Sequence, residues 1–319
     1  MTELMNFMKN RVILTASELD LFTKFDETPS TANETAKREG FNEKGLARVL
    51  DCLVAFGFLK KEDNRYSNTE KGAFFSSRHP ETILPMALHY NHLWNAWSSL
   101  TDVVKNKKGK RHNVIVRLDK KDREAFIGAM HAIARTLSKD IADAYHADRF
   151  ECLLDIGGAS GTYTMAFLKK NPKMQAVLFD LKEVIPIAKK RLADEGFLGR
   201  VKLVAGDFHT DELPGGCDLA LLSAIIHQNS PEENIALYKK IYDALKPGGT
   251  LLIRDHIMDG SRTLPAPGAL FAINMLVNTA GGDSYTFAEV KDALKKAGFI
   301  DIKLLRTGDR MDCLVEAVK

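Results

Sequence analysis

The sequence predicts a mainly α winged-helix module followed by an α/β domain whose parallel sheet carries helices on both faces. Two observations predict this. From residue 10 to about 146 the apolar spacing is helical almost throughout, interrupted by one short strand pair. From Glu151 onward, short β-rich runs alternate with amphipathic helices, the pattern of parallel strands joined by crossover helices. The length of 319 residues, 45% hydrophobic and 27% charged, is that of a globular chain with about two domains. The expected division is 1–104 for the winged-helix module, 105–146 for a linker and long connecting helix, and 147–319 for the α/β domain.

Within the first part, Thr31 to Gly40 and Glu43 to Phe56 read as two helices, the second with Leu46, Val49, Leu50, Leu53 and Val54 at helical spacing. Phe58–Lys61 and Arg65–Asn68, joined by polar turn residues, read as the wing. Such modules often set the second helix in a DNA groove. Here that helix offers only Lys44 and Arg48 against Glu43 and Asp51, which favours packing or dimerisation over DNA. A helical stretch over 82–104 holds Trp94, Trp97, His89 and His92; without a third ligand at matching spacing, the histidines read as ordinary core rather than metal ligands. Lys105 to Lys110 with Arg111 reads as a basic, solvated linker. Glu124 to Tyr145 reads as a long helix with Phe126, Met130, Ile133, Leu137 and Ile141 along one stripe, a core face able to roof a ligand pocket.

The net charge of +3 advertises no nucleic-acid or acidic partner. Cys52, Cys152, Cys217 and Cys313 show no metal or redox spacing and read as four unpaired residues of a reducing compartment. The N-terminal residues lack the features of a signal peptide, and no run approaches the roughly 18 apolar residues of a membrane span. A cytoplasmic location is expected.

Chemistry is expected in the second part. Cys152–Ile156 reads as a strand feeding Gly157-Gly158-Ala159-Ser160-Gly161 and then a helix over Thr162–Lys170. A glycine turn between strand and helix lets backbone approach a ligand. The dinucleotide fingerprint fails, because Ile156 stands where its first glycine belongs. The next strands, Met174–Phe179, Val201–Ala205 and Cys217–Leu222, are followed by Asp180, Gly206-Asp207-Phe208 and Ser223. Asp180 is suited to a ribose diol, Asp207 to an adenine amino group, and Phe208 to packing on the base. Acids at successive strand ends beside a glycine turn favour an adenosine ligand without pyrophosphate.

These runs, Leu154-Asp155-Ile156-Gly157-Gly158, Phe179-Asp180-Leu181, Gly206-Asp207-Phe208 and Lys246-Pro247-Gly248-Gly249, resemble the S-adenosylmethionine-dependent O-methyltransferases of the plant caffeate, acetylserotonin and bacterial polyketide type. The resemblance covers nearly the whole chain. It implies a Rossmann-like methyltransferase sheet, an N-terminal winged-helix dimerisation domain and a homodimer. It also implies that Gly157 and Gly158 line the methionine part of the cofactor, that Asp180 with Leu181 holds the ribose, that Asp207 and Phe208 frame adenine, and that Ser223 lies near the carboxylate end.

In that family a His-Asp-Trp-like stretch follows the fourth strand. Here Ile226-His227-Gln228-Asn229 keeps the histidine and replaces the acid and the tryptophan. Independently of the likeness, an imidazole of ordinary pKa about 6.5 is the best neutral-pH acceptor for a hydroxyl proton. His227 is therefore the expected general base, with no metal required. Asp255 matches a family position for an acid beside the histidine, and Asp283 is the reserve, since Ser284 occupies the second acid's slot. Pocket walls are expected from Phe126, Met130, Asn274, Met275 and Trp97 or Trp94. Two rivals stay open: a relative that methylates carbon or does other chemistry, prompted by the changed residues after His227, and a small-molecule-sensing regulator using the wing on DNA.

Overall fold

The computed structural model describes residues 2–105 and 120–319. They group into two compact units: one runs through Asn95 and takes in the long helix as far as Ala132, while the other includes the segment after Ala96 and runs from Ile133 to the end. The boundaries of these units fall inside two helices, Leu84–Ser98 and Lys120–Ala144. Of the basic linker expected over Lys105–Arg111, all beyond Lys105 lies outside the described residues.

The first unit contains α1 (Thr2–Glu18), α2 (Leu21–Glu27), α3 (Ala32–Glu39), α4 (Glu43–Ala55), the hairpin β1 (Leu59–Glu62) and β2 (Arg65–Asn68), and the short α5 (Glu70–Ala73). The expected helix–helix–wing order is present. Thr31 and Glu34 cap α3 reciprocally, side chain to backbone in both directions. Leu46, Leu50 and Leu53 of α4 are buried with Phe22, Phe25, Phe58 and Tyr66 in one core. Arg48 and Lys61 pair with Asp51, and Arg65 pairs with Glu34, so much of the wing's positive charge is already matched.

The expected continuous helix over 82–104 is two helices, α6 (Leu84–Ser98) and α7 (Leu100–Val104), interrupted at Ser99. The long helix, α8, spans Lys120–Ala144. His89 is half-buried and packs edge-on against Phe126 at 5.2 Å, and desolvation pushes its imidazole down to about 4. Among the described residues no group of histidine, cysteine and carboxylate side chains is arranged to hold a metal ion.

The second unit is built on a seven-stranded sheet ordered β5-β4-β3-β6-β7-β9-β8. Its elements are β3 (Cys152–Ile156), α9 (Thr162–Lys170), β4 (Gln175–Asp180), α10 (Ile185–Asp194), β5 (Val201–Ala205), β6 (Leu219–Ser223), α11 (Pro231–Ala244), β7 (Thr250–Asp255), α12 (Ala266–Asn278), α13 (Phe287–Lys296), β8 (Ile300–Arg306) and β9 (Cys313–Val318). The first five strands pair in parallel as expected. The last strand, β9, inserts antiparallel between β7 and β8, a feature the sequence pattern had not resolved. Alternate residues feed two cores on opposite faces: Leu154, Ile156, Leu251 and Ile253 in one, Leu153, Leu219, Leu221 and Leu252 in the other. Full burial of each such leucine or isoleucine stabilises by roughly 1.5–3 kcal/mol.

The chain starts at central β3, moves outward through β4 and β5, then returns to add β6 and β7 on the other side. That reversal opens a crevice above the carboxyl ends of β3 and β6, where open α/β sheets bind ligands. The same adjacency corrects one expectation. Cys152 and Cys217, 65 residues apart, are joined by a disulfide at the opposite end of these neighbouring strands. Only Cys52 and Cys313 are free. Among the described residues no helix is long and apolar enough to cross a membrane.

Candidate active site at the carboxyl edge of the sheet

The glycine turn follows β3. Gly157 has φ +70°, and a Cβ there would stand 2.5 Å from Ile225 Cδ1. A Cβ on Gly158 would stand 2.8 Å from Leu178 and 3.0 Å from the Asp155 carboxylate. Packing against Ile225, Leu178 and Asp155 therefore leaves no room for a side chain at either position of this turn. Phe208, half-buried, reaches within 3.8 Å of the same Gly157 position, bringing together two expected site residues about 50 positions apart in sequence.

Asp180 ends β4 and is buried. Its Oδ2 accepts from Ala159 N–H at 2.7 Å and its Oδ1 from Leu181 N–H at 2.7 Å, tying the β4 terminus to the glycine turn. Burial pushes its carboxyl up to about 6, and the two N–H donors oppose that rise only in part. Each oxygen keeps a lone pair, the donor-accepting capacity a ribose diol requires. Asp155, on β3 beneath the turn, is likewise pushed up to about 6 by burial, while Thr164 donates to it at 2.5 Å. Asp207 follows β5, its Oδ1 accepting from His209 N–H at 2.8 Å.

Across the crevice, His227 sits on a short 3-10 turn, Ile226–Gln228, just after β6. Its Nδ1 lies 2.9 and 3.0 Å from the two oxygens of Asp255, the last residue of β7. Asp255 is fully buried. Burial works to raise its pKa, but the adjacent His227 and then Arg254 outweigh it and hold the carboxyl below its ordinary range. A carboxylate on Nδ1 selects the tautomer with the proton there and leaves Nε2 as an open acceptor. The histidine side chain is 13% exposed, and its ring meets Phe271 of α12 edge-on at 4.8 Å.

The turn that carries His227 is clamped through its backbone carbonyls. Asn234 Nδ2 donates to Ile226 O at 2.9 Å, Asp283 N–H donates to His227 O at 2.9 Å, and the Tyr285 hydroxyl donates to Asn229 O at 2.5 Å. Asp283 is thereby corrected as an orienter of the imidazole. Its carboxylate turns to Arg262 at 3.1 Å, and only its main chain touches His227. Ser284 is buried and donates to Gly268 O.

The expected pocket residues divide. Trp97 Nε1 donates to Asn274 Oδ1 at 2.9 Å, fixing an amide of α12 one turn from Phe271, and Met275 is buried on the same helix. Phe126 and Met130 belong to the other compact unit, as does Trp94, which carries the Arg11 guanidinium on its ring. Ser223 accepts from Arg254 Nε at 2.8 Å. Arg254, Asp155 and Phe271 were missed by sequence reasoning. For the first two a signal existed, since each is a charge inside an otherwise apolar core strand.

The chain belongs to the O-methyltransferase family. The family's O-methyltransferase domain matches residues 97–300, and its O-methyltransferase dimerisation domain matches residues 2–78. The chain is 30% identical to the tetracenomycin polyketide synthesis 8-O-methyl transferase of Streptomyces glaucescens over 94% of this chain and 90% of that one. It is 27% identical to acetylserotonin O-methyltransferase of Gallus gallus, covering 97% and 94% of the two chains. Among solved structures, mitomycin 7-O-methyltransferase superposes with a TM-score of 0.86 at 26% identity, over 100% of this chain and 96% of the other. The chain is thus an S-adenosylmethionine-dependent O-methyltransferase, and S-adenosylmethionine is its cofactor.

Proposed function

We propose that the enzyme methylates a hydroxyl of a small aromatic or polyketide-like acceptor, with His227 as general base and Asp255 as the residue that orients it. The observation that carries this reading is the buried pair between His227 Nδ1 and Asp255 at 2.9 Å on the wall of the switch-point crevice. The acceptor class rests on the relatives named for tetracenomycin and acetylserotonin substrates.

The crevice suits the cofactor by its donor set and its shape. Gly157 and Gly158 add no side chain to the turn, Asp180 offers buried acceptor oxygens with Leu181 beside it, and Asp207 and Phe208 flank the other end. When bound, S-adenosylmethionine supplies an electrophilic methyl on a sulfonium. The chain's residues do the rest. His227 Nε2 takes the acceptor's hydroxyl proton, Asp255 stabilises the imidazolium that results, and the Trp97–Asn274 contact braces the α12 wall. Base catalysis of this sort contributes about 10²- to 10⁴-fold, and alignment of oxygen with the methyl contributes as much or more.

We further propose that the enzyme works as a homodimer through its N-terminal module. Leu4, Met5, Phe7 and Met8 of α1 are exposed, and the neutralised wing charges fit a packing role better than DNA phosphates. The test of the catalytic reading is His227→Ala. Turnover with a phenolic acceptor should fall by about 10²- to 10⁴-fold while affinity for S-adenosylhomocysteine stays within about twofold; retained turnover removes the base. Label from methyl-labelled cofactor should appear on the product's oxygen, and label on carbon would replace this reading with carbon methylation.

A further inference from the structure

The loop between β7 and α12 carries an arginine that the proposed reaction does not use. Arg262 has φ +60°, a left-handed conformation that a residue with a Cβ keeps only where its surroundings fix it. The loop around it is tied down. Asp259 N–H donates to Leu264 O at 2.9 Å, and the Asp259 carboxylate accepts from Ser261 Oγ at 2.8 Å. From this loop the Arg262 guanidinium reaches the segment that leads into α13. One Nη lies 3.1 Å from Asp283 Oδ2 and donates to Ser284 O at 3.0 Å, while the other pairs with Glu289 in the first turn of α13. Three acceptors from separate residues thus meet one planar fork, an arrangement that suits arginine and not the single ammonium of lysine.

The segment that Arg262 holds is the one lying against His227. A Cβ on Gly282 would stand 2.3 Å from His227 O, and one on Gly281 would stand 2.9 Å from Ser230 Cβ, so this stretch packs directly on the histidine's turn. Asp283 N–H donates to His227 O at 2.9 Å, and Ser284 Oγ donates to Gly268 O at 2.9 Å. Asp283 therefore has its main chain on the histidine and its carboxylate on the arginine. We propose that Arg262 is a positioning residue for methyl transfer: by fixing Asp283 and Ser284 it holds the His227 carbonyl, and with it the imidazole, in place against Asp255. A small displacement of a base from its line with the reacting oxygen is costly, because the rate depends on near-attack geometry. The side chains of Arg262, Asp283 and Glu289 are 42–45% exposed, so their pairing contributes little to global stability and its loss should appear in the chemistry. The inference rests on the reading of His227 as the base.

Arg262→Gln, made in the full-length wild type and in His227→Ala, tests the proposal by single-turnover transfer from methyl-labelled cofactor to a phenolic acceptor. In the wild type the rate at saturating ligands should fall by about 5- to 50-fold. Affinity for S-adenosylhomocysteine should stay within about twofold and the thermal midpoint within about 2 °C. In His227→Ala no imidazole remains to be positioned, and the same substitution should change the residual rate by less than about twofold. Arg262→Lys, which keeps the charge without the fork, should recover part of the wild-type rate. An unchanged rate in Arg262→Gln, or an equal loss in both backgrounds, overturns the positioning role and leaves His227 as the base. A parallel fall in midpoint and cofactor affinity overturns it too, since Arg262 would then serve folding. Full turnover in His227→Ala alone overturns base and positioning residue together.

Discussion

The two flanks of the sheet's carboxyl edge bury acids in opposite electrostatic states. Beside the glycine turn, Asp155 and Asp180 are buried without a paired cation, and each carboxyl is pushed up to about 6. Across the crevice Asp255 is buried as deeply, yet His227 and Arg254 hold it below its ordinary range. Burial alone thus does not decide the charge of an acid here; the partner does. On the proposed reading, the first flank offers the Asp180 oxygens to ligand donors. On the second, both Asp255 oxygens lie within hydrogen-bond distance of His227 Nδ1.

Breaking the second flank should have the larger effect. Asp255→Asn leaves an amide opposite Nδ1, frees the imidazole to take the wrong tautomer and removes the partner of a buried charge. Turnover should fall by about 10²-fold or more with cofactor affinity nearly unchanged. Steady-state kinetics with parallel titration of S-adenosylhomocysteine checks this, and equal losses in both would make Asp255 a folding residue instead.

On the first flank, Asp180→Asn should weaken S-adenosylhomocysteine by about 10- to 100-fold while turnover at saturating cofactor stays within a few-fold. The raised pKa adds a pH signature. Asp180 ionises only above about 6, so its acceptor capacity is present above that value and lost as pH falls through it. Wild-type affinity should therefore drop between pH 7 and pH 5, and the Asp180→Asn profile should be flatter over that range. A wild-type profile with no bend near 6 would mean that Asp180 does not meet the ligand.

The smallest change concerns the wall between the flanks. Gly158→Ala brings a methyl against Leu178 and the Asp155 carboxylate and should cost about 1–3 kcal/mol, read from denaturant unfolding of the cofactor-free protein. An unchanged midpoint would show that β3 and β4 yield more readily than their burial implies.

Periodicity and turn chemistry were local, and they were legible in the sequence. The helix expected over Thr31 to Gly40 was closed by its glycine, and the glycine turn after Cys152–Ile156 marked a strand-to-helix joint. Asp180 and Asp207 marked strand ends, and His227 stood out as a titratable group after a core strand. Each of those signals depends on neighbours within a few residues. What joins distant segments was not legible. The Cys152–Cys217 bridge, the insertion of β9 between β7 and β8, the turn of Asp283 toward Arg262 and the contact of Arg254 with Ser223 all depend on which segments become neighbours. The sequence by itself determined the kinds of groups available and the local elements that carry them. Only the tertiary structure decided which acid reaches the imidazole and which cysteines pair, because strand order and register set those distances.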